Sequence, residues 1–394
     1  MSDPVLDHAL AGRDAMMRRL GEFISHPSVG ADPAYAEGME GARAFLEARL
    51  AQAGFARIDR LRAPGGTGQP AIYAEWLGAE GAPTLLVYGH YDVQPPDPLD
   101  LWRTPPFEAT AREGRLYARG ASDDKGPMLI ALEALIAFLK VEGRLPINVR
   151  LLLEGEEETG SPSLGPILEA HRERLAADAV LSADGARWRA DLTTINVGNR
   201  GNGGFEVTVR TAAKDLHSGR YGGVVPNALH VMAGLVASLR DAEGRVVVDG
   251  FLDGVAEPTE AERAAIAAIP FDEPALFAEL ETEPAGEPGY SFLERLWLRP
   301  TLEVNGMWGG YTGAGAKTVI PNEVHAKFTM RLVPGQEPAC VQEAVLRHLS
   351  AHCPPGATLT VTDERGWAGA YELRGAHPLL AAAETALTET TGDT

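Results

Sequence analysis

Four short clusters of histidine and carboxylate residues carry the chemical interest of this chain. His90 and Asp92 follow the apolar run TLLVYG, and Asp123 and Asp124 lie in ARGASDDKG. Glu156, Glu157 and Glu158 follow INVRLLLEG, and Asp184 follows AVLSA. Imidazole and carboxylate ligands with open coordination positions suit catalytic zinc, and two zinc ions about 3.5–4 Å apart suit hydrolysis. Each cluster also has a plainer explanation. His-x-Asp after a strand can be a turn, and a glutamate triplet can be a solvated face. Asp-Asp-Lys-Gly before a helix can be an N-cap favoured by the helix dipole. Asp184 can cap a turn. What joins them is position, because each stands just past a strand-like run.

That position depends on the elements around it. Apolar residues recur at helical spacing over 3–25 and 34–53. AIYAEWL (71–77), TLLVYGHYDV (84–93), INVRLLLE (147–154) and DAVLSAD (178–184) read as strands. GPMLIALEALIAFLK (126–140) and SLGPILEAHRERL (163–175) read as the helices between them. Strands alternating with helices predict a three-layer α/β domain with a mixed sheet. In an open α/β sheet, ligands collect at the carboxyl ends of the strands, where all four clusters would fall. The texture changes near GNRGNGG (198–204). Alternating strands FEVTVRT (205–211) and HAKFTMRLV (325–333), with helices over 226–241 and 338–352, predict a smaller α+β domain with one sheet face covered. An acidic helical stretch, about 256–295, is inserted in it, and an apolar helix, HPLLAAAETAL (377–387), follows.

Composition bounds the function. With 394 residues, 45% of them hydrophobic and 23% charged, the chain can build two domains with sizeable cores. A formal net charge of −20 argues against nucleic-acid binding, which needs concentrated lysine and arginine. No apolar run reaches the roughly 18 residues of a membrane span. The N-terminus lacks the basic-then-apolar order of a signal peptide. Only Cys340 and Cys353 are present, without CxxC spacing, which suits a reducing compartment. The expectation is a cytoplasmic protein with neither a nucleic-acid nor a membrane partner.

Three other signals fail on inspection. GGYTGAGAKT (309–318) misses the phosphate-loop pattern because Ala316 separates Gly315 from Lys317. GNRGNGG is not the dinucleotide fingerprint, and no G-x-S-x-G is present for a serine hydrolase. His8, His26, His171, His230, His325, His348, His352 and His377 lie mostly on helix or strand patterns away from the clusters and read as structural or surface residues.

HYDVQP (90–95), DLWRTPPFEA (100–109), GRLYARGASDDKG (114–126), LEGEEETGS (153–161), LSAD (181–184), DLHSGRYGG (215–223) and GAKTVIPNEVHAKFTMRLVPGQ (315–336) resemble, in order, the zinc-dependent aminoacylase and carnosinase family of metallopeptidases. The likeness runs from about residue 10 to the end and is closest to the dipeptidase branch. It implies a catalytic domain formed by residues 1–200 and 366–394, with residues 201–365 as an inserted lid and dimerisation domain. It also implies a homodimer, a small peptide substrate and two zinc ions per subunit, which manganese or cobalt can replace. His90, Asp123 and Asp184 would bind the first metal, Asp123 bridging to a second held by Glu158. Asp92 would orient the His90 imidazole, and Glu157 would be the general base. This register aligns GEEETGS with the family's Gly-x-Glu-Glu-(Ser/Thr)-Gly and leaves Glu156 as a departure. In the smaller domain, His217 would reach the partner's site as an oxyanion donor, Arg331 would pair with the substrate carboxylate, and Thr318 would add a hydrogen bond. The family's last histidine ligand would fall beyond Thr394. The expectation is therefore one tightly held metal and little peptidase activity from these 394 residues. Deacylation of an N-acyl amino acid, or a catalytically impaired binding module, are the other readings.

Overall fold

The structure, a computed structural model, describes residues 3–185, 194–373 and 377–391. Two compact units emerge, Met1–Leu192 and Thr193–Thr394.

The first unit is built on a five-stranded mixed sheet. Its strands are β1 (Arg57–Leu61), β2 (Ala71–Trp76), β3 (Thr84–His90), β6 (Asn148–Glu154) and β7 (Ala179–Ser182), in the order β1-β2-β6-β3-β7. A small hairpin, β4 (Thr110–Arg112) and β5 (Arg115–Tyr117), lies apart. β1, β2 and β6 pair antiparallel, whereas β6, β3 and β7 run parallel. The helices are α1 (Pro4–Ala11), α2 (Arg13–Ile24), α3 (Ala36–Ala53), α4 (Lys125–Val141), α5 (Leu164–Ala170) and α6 (Arg172–Leu175).

β6 shows why the sheet has three layers. Val149, Leu151 and Leu153 face one way and pack with Leu46 and Leu50 of α3 and Met128 and Leu132 of α4. Leu152 faces the other way, with Leu86, Ile167 of α5 and Leu175 of α6. A parallel strand covered on both faces reads as a continuous apolar run, as this one does. Two predicted helices are broken. The N-terminal one divides at Gly12, which caps α1 and starts α2. The 163–175 helix divides at His171, whose backbone (φ −121°) leaves the helical region.

The second unit centres on an antiparallel sheet of β9 (Gly201–Arg210), β11 (Thr301–Gly309), β13 (Glu323–Leu332) and β14 (Thr358–Ala368), ordered β11-β13-β9-β14. Two short pairs accompany it: β8 (Gly198–Asn199) with β15 (Tyr371–Glu372), and β10 (Leu216–His217) with β12 (Val319–Ile320). Phe205, Val207, Val209, Val324, Ala326, Phe328 and Met330 line one sheet face, against Met232 and Leu235 of α8 (Ala228–Ala237) and Val345 and Leu349 of α12 (Pro338–His352). α7 (Ser218–Tyr221) follows β10. The predicted acidic insertion holds α9 (Glu260–Ala267), α10 (Glu273–Glu279) and α11 (Phe292–Leu298), and α13 (Pro378–Thr391) lies near the end. α9 and α11 begin with capping boxes, Thr259 with Glu262 and Ser291 with Glu294. Among the described residues, no helix is long and apolar enough to cross a membrane.

β1, β11 and β14 escape the sequence pattern. β1 (RIDRL) buries only Leu61, and β11 is broken by a register shift between Val304 and Gly306 with most of its residues exposed. All three are sheet edges, where strict alternation is not required. The core makes a direct prediction. Leu151 is fully buried between β6 and the α3–α4 layer, so Leu151→Ala should cost about 2–5 kcal/mol of stability through transfer and cavity terms. Chemical denaturation of the two proteins measures it, and a loss under about 1 kcal/mol would mean the site collapses around the gap.

Candidate metal centre

Three parallel strands deliver the first clusters together. β3 ends at His90, whose Cα is level with Glu154 at the end of β6, and Tyr88 is level with Ser182 of β7. Asp92, Glu157, Glu158 and Asp184 are therefore just past the same sheet edge. Asp123 comes from the turn before α4.

His90 is fully buried. Its Nε2 lies 3.0 Å from Asp123 Oδ1 and 4.0 Å from Asp184 Oδ2. Its Nδ1 lies 3.0 Å from the Asp92 carbonyl oxygen and 3.3 Å from Asp92 Oδ1. In the neutral ring, an Nδ1–H donated to either acceptor would leave the Nε2 lone pair facing the carboxylates, available to a metal. Asp92, also fully buried, does more than hold the ring, since its two oxygens accept the backbone N–H groups of Glu157 (3.3 Å) and Glu158 (3.1 Å). One carboxylate thus fixes both the imidazole and the glutamate turn.

Two sets of potential ligand atoms lie within 4.8 Å of one another: His90, Asp123 and Asp184, and His90, Glu157 and Glu158. The glutamate triplet divides. Glu156 turns away, accepting the backbone N–H groups of Gln69 (2.8 Å) and Ser163 (3.1 Å). Glu158 accepts the Gln94 side-chain amide at 2.6 Å and its backbone N–H at 3.2 Å. The turn is held close by Gly155, where a Cβ would lie 2.3 Å from the Tyr91 ring. Tyr91 in turn donates its hydroxyl to the Pro70 carbonyl at 2.6 Å, and its backbone N–H bonds the Glu154 carbonyl at 2.8 Å.

The electrostatics call for a cation. Burial, then the charges of Asp184, Glu158 and Asp92, push Glu157 up to about 7 against the opposing pull of His90. Burial likewise raises Glu158 and Asp184. Burial disfavours the His90 imidazolium, but the Asp92 hydrogen bond and the charges of Asp92, Asp124 and Asp184 outweigh it and lift His90 to about 10. Among the described residues, no lysine or arginine forms an ion pair with Asp92, Asp123, Asp124, Asp184, Glu157 or Glu158. Lys125 is buried beside them, yet its Nζ donates to the Phe23 (3.0 Å) and His26 (2.6 Å) carbonyls. One imidazole and four crowded carboxylates suit hard or borderline divalent metals.

Several residues that shape this centre have no role that the sequence pattern reveals. Asp124 occupies the α4 N-cap position but makes no side-chain cap. Instead its Oδ2 accepts the His90 backbone N–H at 3.1 Å, while its buried Oδ1 has no partner. Glu154 gathers the Tyr88 (2.7 Å) and Ser161 (2.8 Å) hydroxyls directly before the turn. Both acids stand in or beside the acidic clusters, but sequence does not reveal which way a side chain turns.

The remaining candidates belong to the second unit. His217 Nε2 lies 3.1 Å from Thr318 Oγ1, and the Ser218 N–H bonds the Thr318 carbonyl at 3.1 Å, so β10 and β12 bring these two together. Both side chains are exposed. Arg331 is exposed on β13, its Cα opposite Asn202 of β9.

Comparisons with known proteins place the chain among its relatives. The human Beta-Ala-His dipeptidase is 37% identical over 293 residues, which are 71% of this chain and 56% of that protein. The Cys-Gly metallodipeptidase dug1 of Schizosaccharomyces pombe is 31% identical over 354 residues, 86% of this chain and 73% of the relative. Among solved structures, the dipeptidase Dug1p of Saccharomyces cerevisiae superposes with a TM-score of 0.82 at 27% identity, covering 99% of this chain and 85% of that one. The chain thus spans little more than half the length of the human relative it matches. The sequence pattern of peptidase family M20/M25/M40 matches residues 86–394, a stretch that includes every residue of the centre, and this chain belongs to that family.

Proposed function

We propose that this protein is a metal-dependent dipeptidase that hydrolyses the amide bond of small peptides. The observation that carries the reading is the convergence of His90, Asp184, Glu157 and Glu158 past one sheet edge, joined by Asp123 from the turn before α4, with no lysine or arginine among the described residues paired to them. His90, Asp123 and Asp184 would hold one divalent ion, and Asp123 with Glu158 would contribute to a second. Zinc suits this donor set, and manganese or cobalt are the alternatives. When bound, such ions supply Lewis acidity toward water and a carbonyl oxygen.

The chain's own residues do the rest. Glu157 accepts the proton of the attacking water and returns it to the departing amine, a role suited to a carboxyl poised near neutrality. Asp92 holds the His90 ring and, through two backbone N–H groups, the turn that carries Glu157. His217, steadied by Thr318, donates to the developing oxyanion of the partner subunit's substrate across a two-fold axis, and Arg331 grips the substrate carboxylate. In this reading the second unit's sheet and α8/α12 layer form the lid and dimerisation domain, residues 366–394 return to the catalytic domain, and the protein works in the cytoplasm.

Three variants test the assignment. Glu157→Gln should retain metal and fold but lose about 10²–10⁴ of turnover, since an amide cannot accept the water proton. Glu158→Gln should instead lower metal content, read by elemental analysis after dialysis, and swapped phenotypes would exchange the two roles. A chain that keeps no divalent metal and cleaves no dipeptide when metal is supplied would overturn the reading. For the two-fold arrangement, an equimolar mixture of His217→Ala and Glu157→Gln chains, allowed to exchange, should recover roughly a quarter of wild-type activity, because half the dimers are mixed and each has one intact site. Mixed dimers no more active than either parent would place His217 outside a shared site.

A further inference from the structure

Arg331 has an arginine neighbour, Arg200 of GNRGNGG, to which the sequence pattern assigns no role. Arg200 stands one residue before β9, and Arg331 is opposite Asn202, two residues further on. Diagonal positions of this kind on antiparallel strands are about 7–8 Å apart, within reach of long side chains. The two guanidiniums feel each other: burial first, then the Arg331 charge, draws Arg200 below the usual arginine range. Elsewhere, guanidiniums removed from solvent meet carboxylates, as Arg49 meets Glu133, Arg60 meets Glu40 and Glu47, and Arg299 meets Glu287. Among the described residues neither Arg200 nor Arg331 does so, in a chain where 55 acidic residues outnumber 35 basic ones. Two adjacent like charges, one half-buried, repel each other, and a bound anion lowers that cost.

We propose that Arg200 and Arg331 form a two-guanidinium clamp on one carboxylate, and that Arg200 thereby makes the protein prefer substrates with a free terminal carboxylate over those with a neutral terminus. The carboxylate's identity rests on the dipeptidase reading, in which Arg331 meets the substrate's C-terminal group. Arginine suits this position because it keeps its proton beside a second cation, and its fork leaves a carboxylate oxygen available to each partner. A lysine in its place would keep the charge and lose the fork.

Titration calorimetry on the metal-loaded protein tests the clamp without turnover. The probes are reduced glycylglycine, its peptide carbonyl replaced by a methylene, and the C-terminal amide of the same compound. Wild type should bind the acid at least about tenfold more tightly than the amide, as expected for a charge-assisted hydrogen bond. Arg200→Met should remove most of that preference, and Arg200→Lys should keep part of it. An unchanged acid-to-amide ratio in Arg200→Met, or a wild type that binds the two alike, would overturn the clamp. Dipeptide hydrolysis is assayed separately. A protein that hydrolyses nothing yet loses acid preference on Arg200→Met keeps the clamp and refutes the catalytic reading. A protein that hydrolyses dipeptides with its acid preference untouched does the reverse.

Discussion

Asp92 is a carboxylate with no access to solvent, and its hydrogen bonds decide the geometry of everything around it. A buried anion is tolerated only when donors surround it. Here they are the backbone N–H groups of Glu157 and Glu158, with the His90 imidazole alongside. Those contacts join the loop after β3 to the loop after β6. The same residue therefore sets which nitrogen of His90 faces outward and how the glutamate turn is aimed. Tyr91, packed where Gly155 leaves room, locks the same two loops from beneath.

The sheet makes the joint possible. β3, β6 and β7 run parallel, so their carboxyl ends lie along one edge and bring His90, the glutamates and Asp184 into range without contacts between them in sequence. The apolar layers on both faces hold those strands rigidly, which is why charged groups can be concentrated at their ends. The concentration has a cost. Glu157, Glu158, Asp184 and Asp124 are all raised chiefly by burial, and Lys125, buried beside them, is committed to backbone carbonyls. A bound divalent cation would relieve that cost.

The second unit follows a different rule. Its antiparallel sheet buries one face under α8 and α12 and leaves polar groups on the other, so function there depends on which residues alternate outward. Met330 and Leu332 point into the core, and Arg331 between them cannot. Placing that guanidinium beside Arg200 is a consequence of strand register, as is the meeting of His217 with Thr318 across β10 and β12.

Much of this was legible in the sequence. Apolar runs marked β2, β3, β6 and β7 as strands, clean alternation marked β9 and β13, and local chemistry marked the strand ends as the place for His90, Glu157, Glu158 and Asp184. Asp123, expected in a fourth strand-end cluster, comes instead from the turn before α4. These signals are local because periodicity and turn chemistry act within a few residues. Edge strands β1, β11 and β14 left no such trace, since an edge is stabilised by its one neighbour and not by its own pattern. Tertiary structure alone decided that Glu156 turns toward Gln69 and Ser163 while its two successors face His90. It alone made Asp124 a partner of the His90 backbone and not a helix cap, and it alone set Arg200 beside Arg331. Three adjacent glutamates, or two aspartates in a row, are chemically identical in sequence. Only the donors that the folded chain brings within about 3 Å of each one give them different roles.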